Sequence, residues 1–319
     1  MMNIMIVTNS AYLGPTYTML YSLFLCHEQE EMNIYLPYED LKQEELLNLK
    51  IFVETFRGKT LYPLYVGKMF KEKVVSNNGI NVETYYRILG INMLPESLDK
   101  ILYLDVDMII QGSLKRMYEI DMENAPFAAC EDIYGIINGF HEANMRRLEI
   151  PENYSYFNAG VMLYNVNFLR NTNAVEYMLD NIYKRYKKYE YNDQDVMNEL
   201  YYNKVLYLGW DEYNCPPIWC FLNKKNMQQG ILKFADYNEI REMSKNPEKL
   251  IYDYQDITKQ IYQNAKVIHY LGNTKPWSKT REKSKLYELY DEAYKKIVNK
   301  MLSDKRGYEY RIFADNNNS

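Results

Sequence analysis

The sequence predicts an α/β chain, and three stretches predict it. Asn3-Ile-Met-Ile-Val-Thr8 reads as a short apolar strand, Thr16 to Cys26 as a helix and Met32-Asn-Ile-Tyr-Leu36 as a second strand, which together make a βαβ unit. Ile101 to Leu104 and Met108 to Ile110 are uninterrupted apolar runs of the kind that form buried strands. Further short apolar strands, at 126–130, 156–164, 204–208 and 266–272, alternate with helical or polar stretches.

With 319 residues, 47% hydrophobic and 25% charged, the chain is ordinary globular protein, long enough for one large domain or a domain plus an appendage. A formal net charge of -5 gives no reason to expect nucleic acid as a partner. Cys26, Cys130, Cys215 and Cys220 contain no C-x-x-C pair, which argues against zinc and suits a reducing compartment. Asn3 and Asn9-Ser10 interrupt the apolar start and no basic segment precedes it, so no signal peptide is expected. No run of about 18 apolar residues is present to span a membrane, and a cytoplasmic location is the default expectation.

The loop Asn9 to Pro15 follows a strand, where open α/β sheets bind nucleotides, but it carries neither G-x-G-x-x-G nor a P-loop. Residues 39–59 are expected to be helical, and 71–82, with Ser76-Asn-Asn-Gly79 as a turn, either a mobile cover or a surface loop. Val82 to Leu89 has helical spacing with Arg87 turned away from most of the apolar positions. Arg87 is a clamp for phosphate or carboxylate, or a salt-bridged helix residue, and its placement favours the second. Leu114 to Ile120 reads as a short helix and Asn173 to Lys188 as a longer amphipathic one.

Within 156–164, Asn158-Ala-Gly160 breaks the apolar run, and glycine inside a strand often marks a close backbone approach. Asn192-Asp-Gln-Asp195 opens the helix 196–202, where Asp193 alone would serve as an N-cap. Residues 224–263 are polar and irregular, and the tail is Asn-rich. From Lys279 to Ile312 a helical segment carries ten Lys/Arg against six Asp/Glu, with tyrosines interleaved. Such a segment either lies peripherally on an anionic membrane surface or packs on the domain with a solvated basic face.

Asp105 and Asp107 are the only charges between Ile101 and Ile110. Side chains at i and i+2 of an extended chain leave on one side, so the two carboxylates are expected to converge. Like charges in apolar surroundings need a positive partner. That partner is a bridging Lys or Arg, unless the pair belongs to a turn or a solvated strand end, or a hard cation such as Mg²⁺ or Mn²⁺ fills the role. The position at a strand's C-terminal end favours the cation. Of the three histidines, His27 and His141 lie in polar segments, whereas His269 ends a strand and is followed by Gly272 and Lys275. A turn of backbone N–H groups plus an ammonium suits a diphosphate. Asp105, Asp107 and His269 together form a coherent metal site in which one imidazole tilts the choice toward Mn²⁺, with Mg²⁺ as the alternative.

Five blocks carry a family resemblance: Thr84-Tyr-Tyr-Arg87, Ile101-Leu-Tyr-Leu-Asp-Val-Asp107, Tyr156-Phe-Asn-Ala-Gly-Val161, Asp193-Gln-Asp195 and His269-Tyr-Leu-Gly-Asn-Thr-Lys-Pro-Trp277. In this order and spacing the chain resembles the retaining glycosyltransferases of family eight, the group that contains lipopolysaccharide galactosyl- and glucosyltransferases. The resemblance implies a GT-A fold with a mixed central sheet flanked by helices over residues 1–277, and a C-terminal helical extension over 278–319. It implies Mn²⁺ on Asp105, Asp107 and His269, and a UDP-sugar held by Thr8, Asn9, Tyr12, Arg87, Asp105, Val106, Asn158, Ala159, Gly272 and Lys275. Tyr12 would stack on the base. Asp132, Asp193 and Gln194 would act at the sugar, with Gln194 beneath the anomeric carbon. Relatives usually carry Asp-Asp-Asn-Tyr in the first loop, where this chain has Asn9-Ser-Ala-Tyr12.

The implied reaction is transfer of galactose or glucose to a cell-surface glycan, glycolipid or glycoprotein. Two other readings stay open on the residues alone. A sugar-phosphate nucleotidyltransferase also uses an α/β sheet and a divalent metal, but its Gly- and basic-rich first loop is missing here. A catalytically silent nucleotide-sugar binder would have no need of the paired carboxylates.

Overall fold

The computed structural model describes residues 1–67, 82–138, 140–216, 262–272, 275–278 and 285–304. The turn expected at 76–79, almost all of the irregular region 224–263, the Asn-rich tail and both ends of the basic segment 279–312 lie outside the described residues.

The strands are β1 (Met2–Met5), β2 (Met32–Tyr38), β3 (Lys59–Tyr65), β4 (Lys100–Leu104), β5 (Met108–Ile110), β6 (Phe127–Glu131), β7 (Phe157–Asn165), β8 (Leu206–Leu208) and β9 (Val267–His269). The helices are α1 (Leu13–Cys26), α2 (Gln43–Thr55), α3 (Tyr86–Leu89), α4 (Lys115–Tyr118), α5 (Ile133–Asn138), α6 (His141–Leu148), α7 (Val166–Asn171), α8 (Ala174–Arg185), α9 (Asn192–Tyr201), α10 (Trp210–Tyr213) and α11 (Lys285–Ser303). Seven strands form one sheet in the order β3-β2-β1-β4-β7-β6-β8, and β5 pairs with β9 in a separate two-stranded sheet. The large sheet is mixed: β1 to β4 run parallel, whereas β7 is antiparallel to both β4 and β6.

The N-terminal βαβ unit forms as its pattern requires, with β1 and β2 parallel from Met2↔Met32 to Met5↔Tyr35. Helix α1 is apolar nearly all round because it is buried nearly all round: even Thr16, Thr18 and Ser22 are buried. Ser22 Oγ donates to Met19 O at 2.7 Å and accepts from Ile110 N at 3.0 Å, so the helix carries the end of β5. His27, at the helix end, is fully buried and its Nε2 accepts from Leu114 N at 3.0 Å, while Lys59 Nζ caps His27 O at 2.7 Å. Ser22 Oγ, His27 Nε2 and Lys59 Nζ are thus each bonded within the scaffold, a structural role.

One expectation is corrected here. The helix expected over 39–59 is confined to Gln43–Thr55, and β3 follows it as a strand that sequence reading passed over. Pro63 sits inside β3 and Tyr62 and Tyr65 are exposed, which is tolerable because β3 is an edge strand. The two apolar runs within residues 100–110 form two strands that belong to different sheets. β4 ends in the large sheet, the chain bends at Val106–Asp107, and β5 belongs to the small sheet.

The break is flanked by two registers. Leu104 pairs with Val161 and Asp105 N donates to Gly160 O at 2.8 Å, so Asp105 faces Gly160. Met108 pairs with His269, and Tyr270 N donates to Asp107 O at 2.8 Å, so Asp107 faces the end of β9. β7 bulges at the same place: Ala129 pairs with Met162 but Cys130 pairs with Asn158. Helix α11 packs on the domain through Tyr294, whose ring contacts Tyr270 and Trp277 and whose hydroxyl lies 3.5 Å from Thr18 Oγ1. Lys295, Lys296 and Lys300 lie on its exposed side. Among the described residues no helix is long and apolar enough to cross a membrane.

Candidate active site

The ligand atoms of Asp105, Asp107 and His269 all lie within 4.8 Å of one another. His269 Nε2 is 3.1 Å from Asp107 Oδ1 and 3.8 Å from Asp105 Oδ2. The carboxylates therefore meet, but not by the i, i+2 geometry of an extended strand. They meet because the chain turns from one sheet into the other between them, sending the Val106 side chain inward, where it is buried. Gly160 backs this cluster: a Cβ there would fall 2.2 Å from His269 Cε1 and 2.8 Å from Asp105 Oδ2. The glycine inside β7 is thus a steric requirement of the imidazole.

Each carboxylate also has a cation. Arg87, only 8% exposed, places Nη2 3.1 Å from Asp105 Oδ1 and Nε 3.1 Å from Asp193 Oδ2, and Nη1 donates to Ala159 O at 2.8 Å. Its guanidinium lies 4.3 Å from the ring centre of Tyr103, whose hydroxyl donates to Asp105 Oδ1 at 2.6 Å. Burial works against the charge of Arg87, but Asp105 and Asp193 outweigh it and hold the group protonated. Lys275 Nζ donates to Asp107 Oδ2 at 2.5 Å and to Tyr270 O at 2.7 Å. Burial alone would raise the Asp107 carboxyl, yet Lys275 and His269 bring it well below the usual range. Arg87 is therefore ion-paired, as its sequence position favoured, but the pairs are buried and reach across the fold. Gly272 has φ 83°, a left-handed turn, and a Cβ on it would meet the Tyr134 hydroxyl at 2.4 Å.

The first turn of α9 closes the other side. Gln194 Oε1 accepts from Ala159 N at 2.9 Å, and its Nε2 donates to Tyr156 Oη at 3.2 Å and Asp132 Oδ2 at 3.4 Å. Asp193 does not cap the helix as expected but faces Arg87. Asp195 accepts the N-cap amide, from Tyr191 N at 2.8 Å. Asp195 is also gripped by Arg147 at 2.7 and 3.2 Å and by the Tyr156 hydroxyl at 2.7 Å. Burial pushes the carboxyls of Asp132 and Asp193 up to about 6, against the lowering effects of the Gly135 amide and of Arg87 respectively.

Thr8, Asn9 and Tyr12 form a second group after β1. Thr8 Oγ1 is buried against Thr16 Oγ1 at 2.7 Å. Asn9 Oδ1 accepts from Ala11 N and Tyr12 N at 3.1 Å each, and its Nδ2 donates to Glu83 Oε2 at 2.6 Å. The Tyr12 ring meets Trp277 edge-on at 6.2 Å, and Trp277 in turn meets Tyr270, which ties the first loop to the segment following His269.

Two amides, Asn198 and Asn214, escaped sequence reading. Asn198 exchanges hydrogen bonds with Phe157 N and O at 2.7 and 2.8 Å and so fastens α9 to β7. Its place four residues after Gln194, on the same helical face, was the available cue. Asn158 Oδ1, assigned by resemblance to the sugar, accepts from Gly160 N and from Asn214 Nδ2, each at 2.9 Å. Asn214 Oδ1 in turn lies 2.7 Å from His269 Nδ1, and nothing in its sequence neighbourhood signals that role.

Glycosyl transferase family 8 matches residues 3–281. A lipopolysaccharide 1,2-glucosyltransferase of Escherichia coli K12 is 27% identical over 196 residues, which cover 61% of this chain and 49% of that protein. Glycosyltransferase GlyE of Streptococcus pneumoniae is 28% identical over 206 residues, covering 64% of this chain and 45% of GlyE. The chain thus spans about half the length of these curated relatives. The crystal structure of the galactosyltransferase LgtC, in complex with donor and acceptor sugar analogs, superposes with a TM-score of 0.70 at 18% identity, covering 97% of this chain and 99% of LgtC. That likeness shows the fold to be GT-A. With the family matched over most of its residues, the chain belongs to glycosyltransferase family 8.

Proposed function

We propose that this chain transfers a hexose, galactose or glucose, from a UDP-sugar to a hydroxyl of a cell-surface glycan, glycolipid or glycoprotein, with retention of configuration and with Mn²⁺. The reading rests chiefly on the meeting of Asp105 and Asp107 with His269 and Lys275, which stand more than 160 positions away in the sequence. Residues 1–277 would carry the chemistry and 278–319 would be an extension whose exposed lysines suit a peripheral contact with an anionic membrane surface.

The donor set fits a divalent cation: two carboxylates and one imidazole nitrogen converge, with Gly160 leaving room for the ring. A cation held there would act as a Lewis acid toward the diphosphate oxygens. Lys275, now on Asp107, is the group that would move onto the phosphates, with the left-handed Gly272 turn three residues before it. The first loop lacks the acidic pair usual in relatives, but Glu83 brings a carboxylate to Asn9, close to Tyr12, where an acceptor for the uracil N–H is needed.

Breaking the sugar–phosphate bond sends its electron pair to the phosphate oxygen and leaves an oxocarbenium-like sugar. The acceptor oxygen attacks from the face the phosphate leaves, and its proton passes to the departing phosphate oxygen. Gln194 is held on three sides, by Ala159 N, Tyr156 and Asp132, so its carbonyl keeps one lone pair in a fixed direction for the cationic carbon. An amide is a poor nucleophile, which favours this route over a glycosyl-enzyme intermediate.

The donor preference is read from nucleotide release with UDP-Glc, UDP-Gal, UDP-GlcNAc and GDP-sugars. UDP-hexoses turned over with Mn²⁺ and silent with chelator are the expected result; pyrophosphate formed from UTP and a sugar phosphate instead would point to nucleotidyl transfer. Gln194→Ala should lower kcat by about 10²- to 10³-fold without abolishing turnover. A sugar trapped covalently on Gln194 is incompatible with the route. Asp132 and Asp193 contribute stability below the unfolded carboxylate value of 3.8, and that contribution is lost as pH rises through about 6. Their ionised forms are the ones that bind Gln194 and Arg87, so kcat/KM is expected to fall below about pH 6, up to about tenfold per unit for each carboxylate required. A profile flat down to pH 5 would remove both from the mechanism.

A further inference from the structure

His269 offers two nitrogens, and only one can be a ligand at a time. Which one is free is set by the hydrogen bond made by the other. The buried chain of amides behind the imidazole decides this, because one of its members has no choice of polarity. Gly160 N is a backbone N–H and can only donate, and its acceptor is Asn158 Oδ1 at 2.9 Å. Asn214, 2.9 Å from that same oxygen, must therefore present its NH₂ group there. Its carbonyl oxygen then faces His269 Nδ1 at 2.7 Å, so Nδ1 must carry the hydrogen. Nε2 is then the nitrogen that faces Asp107 Oδ1 at 3.1 Å and Asp105 Oδ2 at 3.8 Å, a donor to Asp107 where it carries a hydrogen and a ligand where a cation takes that hydrogen's place.

Both amides are closed to solvent, Asn158 at 6% and Asn214 at 3% exposure, so bulk water cannot replace either partner. Gly160 acts a second time through shape, since its missing Cβ is the space that His269 Cε1 occupies. Asn158 also hydrogen-bonds Asp132, which in turn accepts from Gln194, so the same chain reaches the opposite side of the site.

We propose that Asn214 is a positioning residue: with Asn158 it relays the fixed polarity of the Gly160 peptide to His269, keeping a hydrogen on Nδ1 with Nε2 turned to the two aspartates. Its consequence for a cation rests on the reading of Asp105, Asp107 and His269 as a metal site, whereas the hydrogen on Nδ1 does not. The two parts are therefore tested separately.

The first measurement needs no metal. Imidazole ¹⁵N spectra of the full chain, simplified by the presence of only three histidines, should show a hydrogen on Nδ1 of His269, whether or not Nε2 also carries one toward Asp107. An Nδ1 without a hydrogen in the wild-type chain overturns the proposal. The second follows free Mn²⁺ by electron paramagnetic resonance as the chain is titrated. Asn214→Ala should weaken Mn²⁺ binding by about ten- to a hundredfold. Asn214→Asp, which still accepts from Nδ1–H, should recover most of that loss. Unchanged Mn²⁺ affinity in Asn214→Ala, or an Asn214→Asp chain as weak as Asn214→Ala, overturns the relay. An Nδ1–H ring in a wild-type chain that takes up no Mn²⁺ supports the positioning and removes the metal reading instead. If Asn214→Ala does not fold, the wild-type spectrum and Asn214→Asp still decide.

Discussion

The pairing of β5 with β9 is the constraint on which the rest of the site depends. It is only three residues long, yet it sets Met108 opposite His269 and so fixes which side chains from two remote parts of the chain share one space. Strand β4 could have continued straight in the large sheet. Instead the chain leaves at Asp105, and β5 is held by Ser22 of α1 on one side and β9 on the other. Asp105 stays with the large sheet through Gly160 and Asp107 goes with the small one through Tyr270. The two carboxylates are therefore carried by different sheets, and the site lies on the seam between them.

A seam of this kind concentrates charge that has to be offset. Arg87 and Lys275 take one aspartate each, and the tyrosine rings and hydroxyls around them keep the groups satisfied away from water. The result is unequal. Asp107 is held strongly acidic, whereas Asp132 and Asp193, deeper and less well compensated, titrate near 6. Carboxylates raised by burial and still ionised at pH 7 oppose stability there, as is common where groups are arranged for chemistry rather than for folding. The lysine on Asp107 also donates to Tyr270 O, which ties it to the end of β9. Beside it Gly272 holds a left-handed turn against the Tyr134 hydroxyl.

The sequence made the poles of the site legible because their residue types are scarce or out of place. Asp105 and Asp107 interrupt an apolar run, His269 is one of three histidines, and Gly160 sits inside a strand. It did not reveal the bend between the aspartates, since the break is set by the pairing of β5 with β9 and no local pattern announces it. β3 was hidden by Pro63 and by its exposed tyrosines, features that only an edge position permits. Arg87 was turned the wrong way because the surroundings of its short helix come from β4, β7 and α9 rather than from its own neighbours. Asn198 and Asn214 were invisible for a different reason. Asparagine is plentiful in this chain, and an amide gains its role only from the backbone or imidazole that tertiary structure brings to it.

The most direct measurement is anomalous diffraction at the manganese edge from crystals grown with Mn²⁺ and UDP. A single peak bonded to both aspartates and to Nε2 of His269, with Lys275 released from Asp107 onto the diphosphate, is the outcome expected. UDP bound in the cleft with Lys275 still on Asp107, and the manganese peak elsewhere or missing, would contradict the account.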